Sequence, residues 1–271
     1  MTEMEYNQAE GIRRSDLWRM NDSPEKFRYY LEHPMEQTPA MAFGSACHKY
    51  ILEGDDFWNE YAVMPNVDKR TKDGKAAWEA FMAENEDKTP IGQDKIDQME
   101  EMKQALMACP LAKKLVFGKH QTEVPLMWTD PETGEKCKAK LDILIHDGVE
   151  YTIVDYKTTA HADTEQFNRS IFSFGYYFQA GFYSEGLKHV IDPEMPVRFV
   201  FVAQEKDAPY AVNVIEVSED VMKVGVAKFH ELLEKYHECN MVDIWNGYVD
   251  DVPNETALPG WWSMDGEEEN V

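Results

Sequence analysis

Cysteine is scarce in this chain, and what there is lies scattered. Cys47, Cys109, Cys137 and Cys239 form no C-x-x-C pair. That excludes a zinc ribbon or a local iron–sulfur motif, whose ligands come in close pairs. Reduced, half-buried thiols are expected instead. Long apolar runs are missing too, and no stretch approaches the length needed to span a bilayer. The N-terminus, Met1-Thr-Glu-Met-Glu5, lacks the basic-then-apolar pattern of a secretory signal. Cytoplasmic residence is the expectation, with no membrane partner. No internal repeat or long low-complexity segment stands out. Basic residues are outnumbered, 27 Lys and Arg against 51 Asp and Glu, for a formal charge of −24. Nucleic-acid binders usually show a basic surface, so the sum speaks against one. Part of the excess is local, however. Residues 241–271 hold eight acidic side chains and no Lys or Arg, a third of the net charge. Distribution matters here more than the total.

What is present fits a soluble globular protein. The 271 residues are 43% hydrophobic and 29% charged, enough for one large domain or a core with an appended helical part. Residues 1–35 read as two short helices whose aromatics are core. Ser23-Pro24-Glu25 starts the second and His33-Pro34 ends it. Thr38-Pro39 opens a third helix, which runs to Leu52. Gly44 and His48 share one of its faces, and the glycine lets another backbone approach closely. Taken alone, His48 reads first as an ordinary hydrogen-bonded histidine. Residues 55–75 read as a polar loop. Its Lys69, Arg70, Lys72 and Lys75 fit solvated charges better than phosphate contacts. Residues 74–88 and 93–108 look like two helices separated by Thr89-Pro-Ile-Gly92.

From His120 the period becomes strand-like. Gln121–Trp128 is a strand whose Pro125 suggests an edge or a bulge, and Asp130-Pro-Glu-Thr-Gly134 is a turn. In the next strand, Lys138–Ile145, alternation puts Leu141, Ile143 and Ile145 on one face and Lys138, Lys140 and Asp142 on the other. Asp147-Gly148 is a hairpin turn. In Tyr151–Thr159, Asp155 and Lys157 share a face opposite Val154 and Tyr156. Two carboxylates and an ammonium then converge on one sheet surface. Carboxylates with room for water suit Mg²⁺, and a neighbouring lysine can orient a water or offset developing charge. A cross-strand salt bridge is the alternative for a D-x-K triplet alone. Glu123 either joins the cluster or faces water. Asp163-Thr-Glu-Gln166 opens a helix that runs through Phe174 to Leu187, with Gln179 and Tyr183 on one face. Those two either contact a substrate or are satisfied buried groups. Val197–Ala203 reads as a central strand and Tyr210–Val217 as another, and Ser218 opens a helix to about His237. Trp245, Trp261 and Trp262 lie in the loop-rich remainder.

The ordered set His48, Glu123, Asp142, Asp155-Tyr-Lys157 and Gln179-Ala-Gly-Phe-Tyr183 resembles the PD-(D/E)XK nuclease superfamily. Within it, the chain is most similar to the exonuclease VIII (RecE-like) branch of phage and prophage recombination exonucleases. Gly44 and His48 match the G-x-x-x-H element of that branch, and Trp245-Asn-Gly-Tyr and Leu258-Pro-Gly-Trp261 look similar as well. The likeness is strongest from Glu123 to Leu187. Leu141, not proline, precedes Asp142, as in many members.

The resemblance implies an α/β restriction-endonuclease-like fold, a mixed central sheet flanked by helices. It implies an N-terminal helical region (1–118) contributing to the active site, a nuclease core (119–240) and an acidic tail (241–271). The implied activity is Mg²⁺-dependent digestion of linear double-stranded DNA, 5′ to 3′, in phage-type recombination in a bacterial cell. Mn²⁺ would substitute for Mg²⁺. Asp142, Asp155 and the Tyr156 carbonyl would hold the metal, and His48 and Glu123 would complete its shell. Lys157 would orient the attacking water, and Gln179 and Tyr183 would position the strand. A ring-shaped homo-oligomer and a strand-annealing partner are also implied. The alternatives are a single-strand exonuclease or an endonuclease of the same superfamily, or a relative that binds DNA or protein without cutting.

Overall fold

A computed structural model describes residues 3–191, 193–249 and 253–257. Short helices α1 (Glu3–Gln8), α2 (Arg14–Leu17) and α3 (Pro24–Glu32) lead into α4 (Pro39–Leu52). Ser23 and Thr38 cap the last two, accepting from the Lys26 and Met41 amides, and Pro takes the first helical position in each. The expected polar loop at 55–75 is more ordered than its composition suggests. It holds α5 (Phe57–Glu60), strand β1 (Tyr61–Val63) and the start of α6 (Lys72–Glu84). β1 pairs in parallel with β2 (Thr89–Ile91), and Phe57 is fully buried between them and α4. In the basic cluster, Arg70 pairs with Asp68, and Lys69 lies over the Trp78 ring.

Helices α7 (Gln93–Ala108) and α8 (Pro110–Phe117) precede the main sheet. Its strands are β3 (Gln121–Thr129), β4 (Lys136–His146) and β5 (Tyr151–Thr159), then β6 (Val197–Glu205) and β7 (Val212–Glu216). The spatial order is β3-β4-β5-β6-β7, with only the β5–β6 pair parallel. Pro125 sits in the edge strand β3, where a missing ladder donor costs least. A parallel pair needs a crossover, and α9 (Thr164–Ser173) with α10 (Tyr176–Val190) provides it. The single helix expected there is broken. Gly175 has φ +66°, which a continuing helix does not allow. Helix α11 (Glu219–Val242) closes the fold.

Two cores result, one on each sheet face. Phe199, Phe201 and Leu141 pack with α9, α10, α11 and the early helices. Val200, Val202, Ile143, Val154 and Tyr156 pack with α4, α7 and α8. β6 is buried on both faces, as its continuous apolar run predicts. Trp245 stacks on Phe27, and Glu25 donates its amide to the Asn246 carbonyl, so that segment docks on α3. Residues 258–261, and Trp262 with the acidic end after them, lie outside the described residues.

Candidate active site

The site begins where β4 and β5 part. Their ladder ends at Ile143↔Val154, and the next positions on each strand are Asp142 and Asp155. On the other side of β4, the pairs Thr122↔Ile143 and Val124↔Leu141 bracket Glu123 and Asp142. Glu123, Asp142 and Asp155 therefore form one row across three adjacent strands. Like charges placed opposite one another repel, so the row needs cations to persist.

Strand alternation fails at this row. Leu141 and Ile143 were expected on one face, yet they enter opposite cores. Glu123, directly across, has φ +51° in the left-handed region that a glutamate rarely adopts. The two irregularities face each other and turn both carboxylates toward α4. Strain of this kind persists where the surroundings over-determine it, and such places are commonly functional. On β5 alternation holds, with Val154 and Tyr156 in one core and Asp155 and Lys157 on the opposite face.

Helix α4 brings His48 to the gap. Its Nε2 lies 3.5 Å from Asp142 Oδ2 and in hydrogen-bond contact with the Tyr156 carbonyl. Gly44, one turn earlier, faces Thr158 of β5; a Cβ there would stand 3.3 Å from the Thr158 hydroxyl. Asp142 Oδ2 accepts from the Tyr156 amide at 2.9 Å, replacing the backbone partner that the splayed strands do not supply. Ligand atoms of His48, Glu123 and Asp142 all lie within 4.8 Å of one another. Asp155 is only 1% exposed; its Oδ1 accepts from the Gln179 amide, and Lys157 Nζ lies 2.7 Å from its Oδ2. Lys140 pairs with Glu123.

The donor set fits a hard divalent cation with one imidazole ligand. Two carboxylates, His48 and a backbone carbonyl meet at one strand gap, and the Asp155 carboxylate occupies the neighbouring position of β5. The electrostatics agree. Burial raises the Asp142 carboxyl to about 7, and neighbouring Asp155 adds to it, against the opposing pull of His48 and Lys157. For Lys157, burial disfavours the charge, but Asp155 and Asp142 more than offset it and hold the ammonium above its ordinary range. Tyr176 lies 5.0 Å beneath the same ammonium.

Gln179 was expected to contact a substrate or to be a satisfied buried group, and the resemblance implied that it positions the strand. It is 4% exposed and its amide is committed to Asp155, which makes it a positioning residue. Tyr183 lines a pocket beside it, and burial raises its phenol. That pocket holds about 420 Å³ and carries Arg13, Arg14, Lys138, Lys140 and Lys157, with no Asp or Glu. Sequence reading missed the role of Arg13-Arg14. The dipeptide is its only local signal, and its place beside Lys157 depends on 140 residues of intervening fold. Among the described residues no helix is long and apolar enough to cross a membrane.

Comparison with known proteins follows the same lines. Residues 14–252 match the profile of a family described as "PDDEXK-like domain of unknown function (DUF3799)". No curated protein matches. A crystal structure of a "Putative exonuclease" from Eubacterium rectale superposes with TM-score 0.62 at 14% identity, covering 96% of each chain. At that identity the likeness shows a shared fold. The structure of SSO0001 aligns at TM-score 0.39 and 13% identity, covering 84% of this chain and 77% of its own, too loosely to bear on the argument.

Proposed function

This chain belongs to the PDDEXK-like domain family, and from that membership and its site we propose that it is a metal-dependent nuclease. More narrowly, we propose an exodeoxyribonuclease of the RecE-like branch that degrades linear double-stranded DNA from the 5′ end, with Mg²⁺ as its ion. One observation carries the reading. The His48–Glu123–Asp142 cluster lies beside a lysine flanked by pockets without carboxylates, in a chain of charge −24. A phosphodiester strand can reach this surface without meeting the acidic excess.

The side chains of Asp142, Glu123 and His48 and the Tyr156 carbonyl would hold the ion, joined by Asp155, whose Oδ2 is shared with the Lys157 ammonium. A bound divalent cation supplies Lewis acidity at the phosphate and a more acidic water. Lys157 donates to the attacking water and offsets charge as it builds on phosphate oxygens. Asp155 and Tyr176 hold that ammonium in place, and Gln179 holds Asp155. Arg13 and Lys140 bind adjoining phosphates, and Tyr183 borders the same pocket. Asp142 gives up its proton before it can serve as a ligand. The proposal extends to a ring-shaped homo-oligomer and a strand-annealing partner, for which the sequence resemblance is the sole support.

End-labelled linear duplex and closed-circular DNA, each with Mg²⁺, Mn²⁺ or EDTA, test the reading. The expected result is metal-dependent release of nucleotides from the linear form only. Cutting of the closed circle would make the protein an endonuclease. Binding without cleavage in either metal would make it a non-cleaving relative.

A further inference from the structure

Lys157 stands between two pockets of different character. On one side lies the cationic pocket of Arg13, Arg14 and Lys140. On the other, a groove of about 740 Å³ runs between α4 and α9. Its lining also lacks Asp and Glu, but beside Lys157, Lys206 and His161 it carries hydroxyl, amide and aromatic groups: Ser45, Thr158, Gln166, Ser170, Phe174 and Tyr176. We propose that this groove is a nucleobase subsite, and that Phe174 is its stacking platform. It would take unpaired bases of the strand whose phosphate lies at Lys157. The proposal rests on the nuclease reading and adds to it where the bases go.

Phe174 is 59% exposed while lining the groove, so its ring is open to a ligand there. The exposure does not come from a loose turn. Gly175 adopts φ +66°, and a Cβ there would come within 2.6 Å of the Trp18 ring, so only glycine fits. Arg14 Nη2 donates to the Phe174 carbonyl at 2.7 Å and also to that of Gly175. The ring is therefore held out by a pinned turn. Gln166, Ser170 and Phe174 follow at intervals of four, one face of α9 and its end, and all three line the groove. Gly44 leaves the opposite wall open beside Thr158. Tyr176 joins the platform to the chemistry, with its ring 5.8 Å from Phe174 and 5.0 Å from the Lys157 ammonium. Every base offers a π-face to stack and polar edges for hydroxyl and amide partners, whereas a phosphate would prefer the cationic side.

Steady-state hydrolysis of linear duplex by the full chain tests this, with wild type, Phe174→Ala and Phe174→Trp. An abasic spacer is placed in turn at each of the four terminal nucleotides of either strand. Phe174→Ala is expected to raise KM by roughly tenfold with little change in kcat. Phe174→Trp should restore KM, and the thermal midpoint should not move. At one spacer position the wild type should lose affinity by a similar factor while Phe174→Ala loses nothing more. An unchanged KM for Phe174→Ala, or a spacer penalty equal in both proteins, would overturn the subsite and leave the nuclease standing. A folded wild type that cuts no DNA in Mg²⁺ or Mn²⁺ would overturn the nuclease reading and this inference together.

Discussion

At the scale of single residues, the site is a negative row held together by two lysines. Lys140 faces Glu123 and Lys157 faces Asp155, while Asp142 between them has only His48 and a backbone amide. Burial above all makes the Asp142 proton hard to remove. Its folded value of about 7 lies above the ordinary 3.8, so the folded protein binds the proton more tightly than the unfolded chain. That contribution to stability is full below about pH 4 and is lost as pH rises toward 7. Asp142→Asn keeps the neutral shape at every pH. In EDTA the two proteins should melt alike near pH 4.5, and the wild type should melt lower at pH 8. Added Mg²⁺ should then raise the wild type alone. Equal midpoints at pH 8 would mean that Asp142 carries no such penalty.

Lys157 offers a separate test. Replacing it with Ala should lower kcat by roughly 10²- to 10⁴-fold, the span of a positioned proton donor. Mg²⁺ binding by calorimetry should be retained, since the ammonium supplies no ligand and His48, Glu123 and Asp142 stay in place without it. Near-normal turnover would remove the lysine from the chemistry. The pairing of Asp155 with Lys157 was readable because a strand's period fixes which side chains share a face. Gln179's commitment to Asp155 was not readable, because spacing places it on a helix face and says nothing of what that face meets. The exposure of Phe174 was not readable either: its position in a continuous apolar stripe conceals the break one residue later.

At the scale of elements, the break at Gly175 and the crossing of α10 with α11 position the site together. Gly181 of α10 and Gly225 of α11 lie back to back. A Cβ on Gly181 would overlap the Gly225 backbone, and one on Gly225 would overlap the Tyr177 carbonyl. This contact lets α10 sit between the sheet and α11, carrying Gln179 to Asp155. Gly181→Ala should cost about 1–3 kcal/mol as an overpacked contact. A thermal midpoint lowered by several degrees, read by circular dichroism, is the expected outcome; an unchanged one would show that the helices have room to part. The helices and strands themselves were largely legible, down to the Thr38-Pro39 start and the Asp147-Gly148 turn. The alternation failure at Asp142 and Glu123 was not, because the period-two rule assumes a regular pleat, and here two strands depart from it together. Helix α8 and the strand pair β1–β2 were also hidden, the latter because three-residue strands leave too short a pattern to distinguish from loop.

At the scale of the whole molecule, a charge of −24 and a polyanionic substrate are reconciled by placement. The pocket on the α2 side of Lys157 gathers cations without a carboxylate, and not all of them are available to phosphate. Lys138 is 4% exposed and donates to the carbonyls of Tyr6, Asn7 and Ala9, so it serves the fold. Arg14 is likewise committed, to the carbonyls of Phe174 and Gly175, which leaves Arg13, Lys140 and Lys157 for a strand. Three phosphate contacts to a single strand imply a slope of about −2 for log affinity against log salt. Affinity should then fall roughly 20-fold between 50 and 200 mM salt. Fluorescence anisotropy with a labelled oligonucleotide across that range measures it. A slope near −2 would mean that one chain supplies the whole phosphate footprint. A slope beyond about −6 would require cations that this chain does not bring to the site, and further copies around the same DNA would be their source.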